Sequence, residues 1–465
     1  MRLVLGLRKV AAFTFLIFTT SAALAQNVIL IIGDGMDDHQ ITMARNYLHG
    51  AKGLLTLDTL PVRAAVQVVT LDHNDPSKVI YVADSANSAT AIATGQVTSR
   101  GRISTSADTD SDLKPITVDL KNAGFAVGIV TTASVTDATP AVFMANVAQR
   151  FCENPDMMVQ AKIAGNWYAD CEDDLIANGG SGSISEQIAG STIDVVLGGG
   201  SKQFAPIAEG ADLTVLEQAQ AEGYVVVNSV QALEQTVSSS DERVLGLFSP
   251  GTMPVRWQAT GGVAAEQPEP SLLNQVHEYL GDVTLPAPVK CEVNPTYGDS
   301  PPLATMAQAA IAQLAKRSNK GFFLMVESAS IDKQSHARRP CGQIGELQQL
   351  DETLQVALEF ATTNPETLIL VTADHGQAAQ IIPNNSLFNG YGVPVYTPGR
   401  LQRLVTPEGA IMAMNYATNE FQAEEHTGVN IPLLANEQGQ GLVPSFLMQS
   451  DIYGIIKNYL LPETP

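Results

Sequence analysis

Gly321-Phe-Phe-Leu-Met-Val-Glu-Ser-Ala-Ser-Ile-Asp-Lys-Gln-Ser-His336 changes character partway along its length. Phe322–Val326 is an unbroken apolar run, the pattern of a strand buried on both faces of a parallel sheet. Glu327, Asp332, Lys333 and His336 follow at once. Two carboxylates and an imidazole at the carboxyl end of a buried strand suit a divalent metal ion. Taken alone, the segment reads more simply as a solvated strand-to-helix loop. Recurrence of the pattern decides the other way.

Asn27-Val-Ile-Leu-Ile-Ile32 is a second buried strand, ending in Gly33-Asp34-Gly35-Met36. Thr367-Leu-Ile-Leu-Val-Thr372 is a third, ending in Ala373-Asp374-His375-Gly376. The carboxyl ends of strands in an open α/β sheet share one rim, so these acids can converge there. Of the seven histidines, His336, His375 and His426 fall in or near such settings, whereas His39, His49, His73 and His277 read as surface or packing residues. Four carboxylates with three imidazoles make multi-metal binding the better reading.

Other elements fill in around these strands. A helix is expected over Ile41–Leu48. A short strand, Val79–Val82, leads through Ala83-Asp84-Ser85 into a helix over Ala86–Thr94 that Gly95 closes. In isolation Ser85 reads as the N-cap of that helix. A helix near Thr117–Asn122 precedes the strand Ala126–Val130, and Pro140 opens a helix running towards Arg150. Gly179–Gly190 looks like a surface connection, and a strand at Asp194–Leu197 stops at Gly198. Pro301–Arg317 and Gln343–Phe360 carry amphipathic helical stripes. Ser386–Arg400 reads as a loop, Ala410–Tyr416 as a strand, Glu420–Glu425 as an exposed acidic segment, and Ile452–Leu460 as a last helix. The alternation predicts an α/β fold: a doubly wound, mainly parallel central sheet flanked by helices on both faces. Residues 200–290 are expected to form a peripheral insertion region.

The N-terminus reads as an export signal. Arg2, Arg8 and Lys9 precede an apolar stretch, and Ala23-Leu24-Ala25 offers a small-x-small cleavage site. No other stretch is long and apolar enough to cross a bilayer. Residues 26–465 are therefore expected to be the mature exported protein, periplasmic or secreted, and to form one domain, as α/β chains of this length often do. Loss of residues 1–25 leaves 23 basic against 48 acidic residues, a net charge of −25. Such acidity argues against nucleic acid and anionic membranes as partners, and a phosphate substrate would be repelled unless bound cations reversed the local sign. Cys152, Cys171, Cys291 and Cys341 admit three disulfide pairings, of which the nearest-neighbour set, 152–171 with 291–341, is favoured.

Six segments together resemble the alkaline phosphatase family, bacterial type, across most of the mature chain. They are Ile-Gly-Asp-Gly-Met at 32–36, Asp-Ser-Ala at 84–86, Asp-Ala-Thr-Pro at 137–140, Val-Glu-Ser-Ala-Ser-Ile-Asp-Lys at 326–333, Thr-Ala-Asp-His at 372–375 and His-Thr-Gly at 426–428. The resemblance implies a hydrolase of phosphate monoesters with two zinc ions and one magnesium ion, usually homodimeric. It implies Asp332, His336 and His426 as ligands of one zinc, and Asp374, His375 and Asp34 as ligands of the other. Asp34 would also bridge to magnesium, completed by Thr139 and Glu327, with Asp137 acting through water. Ser85 would be the nucleophile and Arg150 the phosphate-binding fork, oriented by Asp84, with Lys333 reaching phosphate through water. Asp137 and Lys333 favour magnesium in the third site, since animal members commonly carry histidines there. Ser335 departs from the Asp frequent in bacterial relatives.

Two rivals are weaker. A sulfatase-like enzyme would be expected to carry a Cys/Ser-x-Pro-x-Arg motif, which Ser85-Ala-Asn-Ser lacks. A metal-binding or phosphate-scavenging protein without turnover has no use for Ser85 beside Arg150.

Overall fold

The computed structural model describes residues 25–462 apart from 160, 164, 165, 169, 240, 241, 278, 279, 388 and 392–398. The expected export signal lies outside the described residues except for Ala25, as do positions 388 and 392–398 of the expected loop. Ten strands share one sheet: β1 (Asn27–Gly33), β2 (Val62–Gln67), β3 (Ala126–Ser134), β4 (Val195–Gly199), β5 (Tyr224–Val227), β6 (Arg243–Leu247), β7 (Phe322–Ser328), β8 (Thr367–Ala373), β9 (Ile431–Ala435) and β10 (Phe446–Met448). From edge to edge they run β10-β2-β9-β8-β1-β7-β3-β4-β6-β5. The strands from β8 to β5 are mutually parallel, and β9 alone runs antiparallel to its neighbours β8 and β2.

Every residue of β1, β7 and β8 is buried, which is why their sequences are unbroken apolar runs. Helices α1 (Asp38–His49), α2 (Ser85–Thr94), α3 (Ile116–Asn122), α4 (Ala138–Ala141), α5 (Leu303–Arg317), α6 (Ser330–His336), α7 (Pro340–Thr363) and α8 (Asp451–Leu460) supply the layers and the rim. On one face, α7 packs against α1, α5 and the central strands; on the other, α8 packs against α2, α3 and β1. The doubly wound, mainly parallel α/β sheet expected from the sequence is the observed fold.

Five local expectations need correcting. The 200–290 stretch is not peripheral throughout, because β5 and β6 within it extend the main sheet at its edge; among the described residues the part after β6 adds no strand to that sheet, and its strand Trp257–Ala259 pairs with Cys291–Val293. The helix expected from Pro140 towards Arg150 is instead the four-residue Ala138–Ala141, with Asp137 as its N-cap; beyond it Val147 pairs with Ile103 and the Arg150 N–H donates to the Gly101 carbonyl at 2.6 Å. Gly179–Gly190 is not mere surface: Ser183 and Glu186 form a capping box for a largely buried helix, Ile184–Ala189. Of Val79–Val82 only Val79–Ile80 is strand. Finally, Glu424 in the supposedly exposed acidic run is buried.

Both nearest-neighbour disulfides are present, Cys152–Cys171 and Cys291–Cys341. They close loops of 19 and 50 residues of sequence separation. The chain-entropy relation assigns about 3 kcal/mol to the shorter loop and about 4 kcal/mol to the longer. Thermal melts of Cys152→Ala/Cys171→Ala and Cys291→Ala/Cys341→Ala should both fall, the second further; equal or reversed losses contradict the loop-length argument.

Candidate active site

Sheet register brings the strand-end acids together. Gly33 lies opposite both Ser328 and Ala373, so Asp34 and Asp374 emerge side by side, with Glu327 one step back opposite Ile32 and Thr131. The turn after Asp34 passes through Gly35 at φ +68°, a conformation glycine adopts without penalty, and the Gly35 N–H donates to Asp374 Oδ1 at 2.9 Å. Helix α6 then carries Asp332, Lys333 and His336 back across the same rim. A short antiparallel pairing of Gly376–Gln377 with His426–Thr427 brings in the third imidazole.

His336 Nε2 lies 3.2 Å from Asp332 Oδ2, and His426 Nε2 lies 3.3 Å from Asp332 Oδ1 and 3.1 Å from His336 Nε2. The opposite ring nitrogens are occupied by backbone: His426 Nδ1 is 2.8 Å from the Ala83 carbonyl, and His336 Nδ1 bonds the Glu424 carbonyl. That assignment leaves both Nε2 lone pairs facing Asp332. Around His375 Nε2 gather Asp374 Oδ2 at 3.3 Å, Asp34 Oδ1 at 3.5 Å and Ser85 Oγ at 3.1 Å. A serine–histidine–aspartate triad puts its carboxylate on the other ring nitrogen. Here hydroxyl, carboxylates and imidazole nitrogen converge on one point instead, which is ligand geometry rather than relay geometry.

The residues fit bound cations on two further counts. Asp34 Oδ1, Asp374 Oδ2 and Thr139 Oγ1 are buried with no hydrogen-bond partner, a costly arrangement that a cation would relieve. Burial and the neighbouring charges of Asp374, Asp332 and Glu327 push the Asp34 carboxyl well up, and burial with Asp137 pushes Glu327 to about 8. Ligand atoms of Asp332, His336 and His426, and of Asp34, Asp332 and His375, lie within 4.8 Å of one another in each set.

Ser85 is not the N-cap. Asp84 takes that role, accepting from the Asn87 N–H at 3.0 Å, and Ser85 is the first residue of α2. This leaves the Ser85 hydroxyl for the rim. Arg150 Nη1 lies 3.3 Å from Asp84 Oδ2, and Nη2 donates to Asp137 Oδ1 at 2.9 Å. Gly101 ties this corner further, its N–H donating to Asp84 Oδ2 at 3.1 Å. Asp137 also binds Lys333 Nζ, and burial notwithstanding, the two cations hold it well below the usual carboxylate range. Twelve of the thirteen sequence-predicted site residues are thus joined along one rim by contact, register or chain neighbourhood, and Thr139 follows Asp137 by two residues with its buried hydroxyl unpartnered. Sequence reading missed Gln377, whose Nε2 donates to Asp332 Oδ1 at 2.6 Å, and Thr131, which donates to Glu327. It also missed Asp137 as the bridge between Arg150 and Lys333. Gln377 had a signal in standing three residues after Asp374; Thr131, inside a buried strand, had none.

A mainly parallel α/β sheet whose rim joins a helix-start serine to carboxylates and imidazoles that could hold metal ions is the arrangement a metal-dependent hydrolase would need. The chain belongs to the alkaline phosphatase family, whose pattern matches residues 25–452. It is 40% identical over 439 residues to the alkaline phosphatase of Escherichia coli K12, spanning 93% of this chain and 85% of that one. It is also 40% identical over 423 residues to the streptomycin-6-phosphate phosphatase of Streptomyces griseus, spanning 88% of this chain and 85% of the relative. Among solved structures, the alkaline phosphatase of the Antarctic bacterium TAB5 shares the fold at a TM-score of 0.66 with 19% identity, covering 95% of this chain and all of that one. The family is one of metal-dependent phosphomonoesterases. Among the described residues, no helix is long and apolar enough to cross a membrane.

Proposed function

We propose that this chain is an exported alkaline phosphatase that hydrolyses phosphate monoesters through a phosphoserine intermediate on Ser85. The observation that carries the reading is the 3.1 Å approach of Ser85 Oγ to His375 Nε2, on the same nitrogen that faces Asp34 and Asp374. Asp332, His336 and His426 would hold one zinc ion; Asp374, His375 and Asp34 the other. Asp34, Thr139 and Glu327 would hold magnesium, an all-oxygen set suited to that ion, with Asp137 reaching it through water. When bound, these cations supply positive charge that lowers the pKa of hydroxyl and water and offsets negative charge on the departing oxygen.

Ser85 Oγ, its proton given up to solvent, forms the new bond to phosphorus as the P–O ester bond breaks on the opposite side and the departing oxygen takes a proton as the alcohol; water then displaces Ser85, which regains its proton, to give inorganic phosphate. Arg150 presents a planar fork to two phosphoryl oxygens, which a lysine could not match. Asp84 and Asp137 fix that fork, and Asp137 also holds Lys333 towards the phosphate. All the roles assigned here fall on the phosphoryl group and none on the leaving group. Export, resting on the N-terminal signal pattern, and a homodimeric state, resting on resemblance, complete the proposal. The test is release of a chromogenic alcohol from its phosphate monoester at alkaline pH, run beside metal analysis of the mature protein. Turnover that chelator abolishes, with two zinc and one magnesium per chain, is the expected result; turnover indifferent to chelator refutes the reading.

A further inference from the structure

Helix α6 ends at His336, and two residues on, Arg338 takes a left-handed backbone conformation at φ +57°. This is uncommon for a residue with a side chain. The side chain is buried, with Arg338 only 4% exposed and its partner Glu424 0% exposed. Its contacts fall on one loop. Nε donates to Glu424 Oε2 at 2.6 Å, Nη1 to the Gln422 carbonyl at 3.3 Å, and Nη2 to the Phe421 carbonyl at 2.9 Å and to the carbonyl and Oδ1 of Asn419 at 3.3 Å. The second Glu424 oxygen accepts from the N–H and hydroxyl of Thr418.

That loop delivers His426 two residues beyond Glu424. Backbone bonds complete the clasp: Glu424 N–H donates to the His336 carbonyl at 3.1 Å, and His336 Nδ1 bonds the Glu424 carbonyl. One guanidinium therefore fastens the helix carrying His336 to the loop carrying His426, while Glu424 fixes the ring of His336 through its own carbonyl. We propose that the buried Arg338–Glu424 pair acts as a strap that sets how tightly the Asp332, His336 and His426 cluster retains its cation. The proposal rests on the reading of those three residues as a ligand set. Arg338 and Glu424 are positioning residues, since neither touches the reacting atoms. Replacing groups that orient metal ligands commonly costs about 10- to 100-fold in metal affinity. A pair that served the fold alone would instead lower stability equally with and without metal.

The test compares the zinc- and magnesium-loaded mature protein with Arg338→Met and with the double variant Arg338→Met/Glu424→Leu. The double variant removes both charges, so that folding does not hinge on an unpaired buried carboxylate. Each protein is equilibrated against a series of buffered free zinc concentrations, and bound zinc per chain is measured, alongside thermal melts after metal removal. In the variants, one of two zinc ions should dissociate at about 10- to 100-fold higher free zinc than in wild type. The other should be unmoved, and excess zinc should restore turnover. Melting of the stripped double variant should stay close to that of the stripped wild type. A folded variant whose two zinc ions titrate within about twofold of wild type overturns the strap. Wild type that binds no zinc overturns the ligand assignment itself and the strap with it.

Discussion

Ser85→Ala is expected to lower kcat for phosphate monoesters by about 10³-fold or more, roughly 4 kcal/mol of barrier, while fold and metal content stay intact. The fold should tolerate the change because α2 is capped by Asp84 and not by Ser85, and alanine suits a first helical turn. What alanine takes away is the hydroxyl that approaches His375 Nε2. Asp34, Asp374 and His375 would remain in place, so metal analysis should match wild type. Single-turnover experiments on wild type should leave phosphate covalently on the peptide containing Ser85, and the variant should show none. Activity within about tenfold of wild type would falsify the nucleophile assignment. Loss of metal together with activity would instead make Ser85 a ligand holder first.

The central strands were legible because burial on both faces forces apolar runs, and runs that stop at Asp34, Glu327 and Asp374 announce a polar rim. Edge elements were less so. Tyr224–Val227 and Arg243–Leu247 are four and five residues long, and apolar runs of that length do not distinguish strand from helix. The segment after Pro140 has helical composition, yet its backbone pairs with residues 101 and 103, which no local pattern reveals. That same departure places Arg150 against Asp84. Glu424 shows the limit most clearly. Inside Glu420-Phe-Gln-Ala-Glu-Glu425 it looks solvated, and the cation that pairs with it in the interior, Arg338, lies 86 residues earlier. Ser183-Ile-Ser-Glu186, by contrast, was a readable capping box that glycine-rich surroundings obscured.

Metal removal should do more than stop turnover: it should make stability depend on pH with a sign fixed by the rim. Each site held at about 1,000 times its Kd adds about 4 kcal/mol to the native state, so stripping all three costs heavily. In the stripped protein, Glu327 is pushed up to about 8 by burial and by Asp137, whereas unfolding returns it to about 4.3. A raised carboxyl binds its proton more tightly when folded. Its destabilising effect is absent below the unfolded pKa, grows as pH rises to about 8, and is constant above. His426 acts in the same direction: burial opposes its charge, but the hydrogen bond and charge of Asp332 outweigh this and raise it to about 9. The stability it contributes is full below about 6.5 and lost as pH rises through the folded value. His375 runs the other way, lowered chiefly by burial, but it is neutral in both states above about pH 7. From about pH 7 to about pH 9 the stripped protein should therefore lose stability, and the raised Asp34 and His336 act in the same sense. Bound metal cancels this trend, because it displaces those protons and binds more tightly as they leave. Thermal melts with and without chelator at the two pH values decide the matter: the gap between replete and stripped protein should widen at the higher pH, and a constant gap means these side chains do not titrate as a metal-binding set.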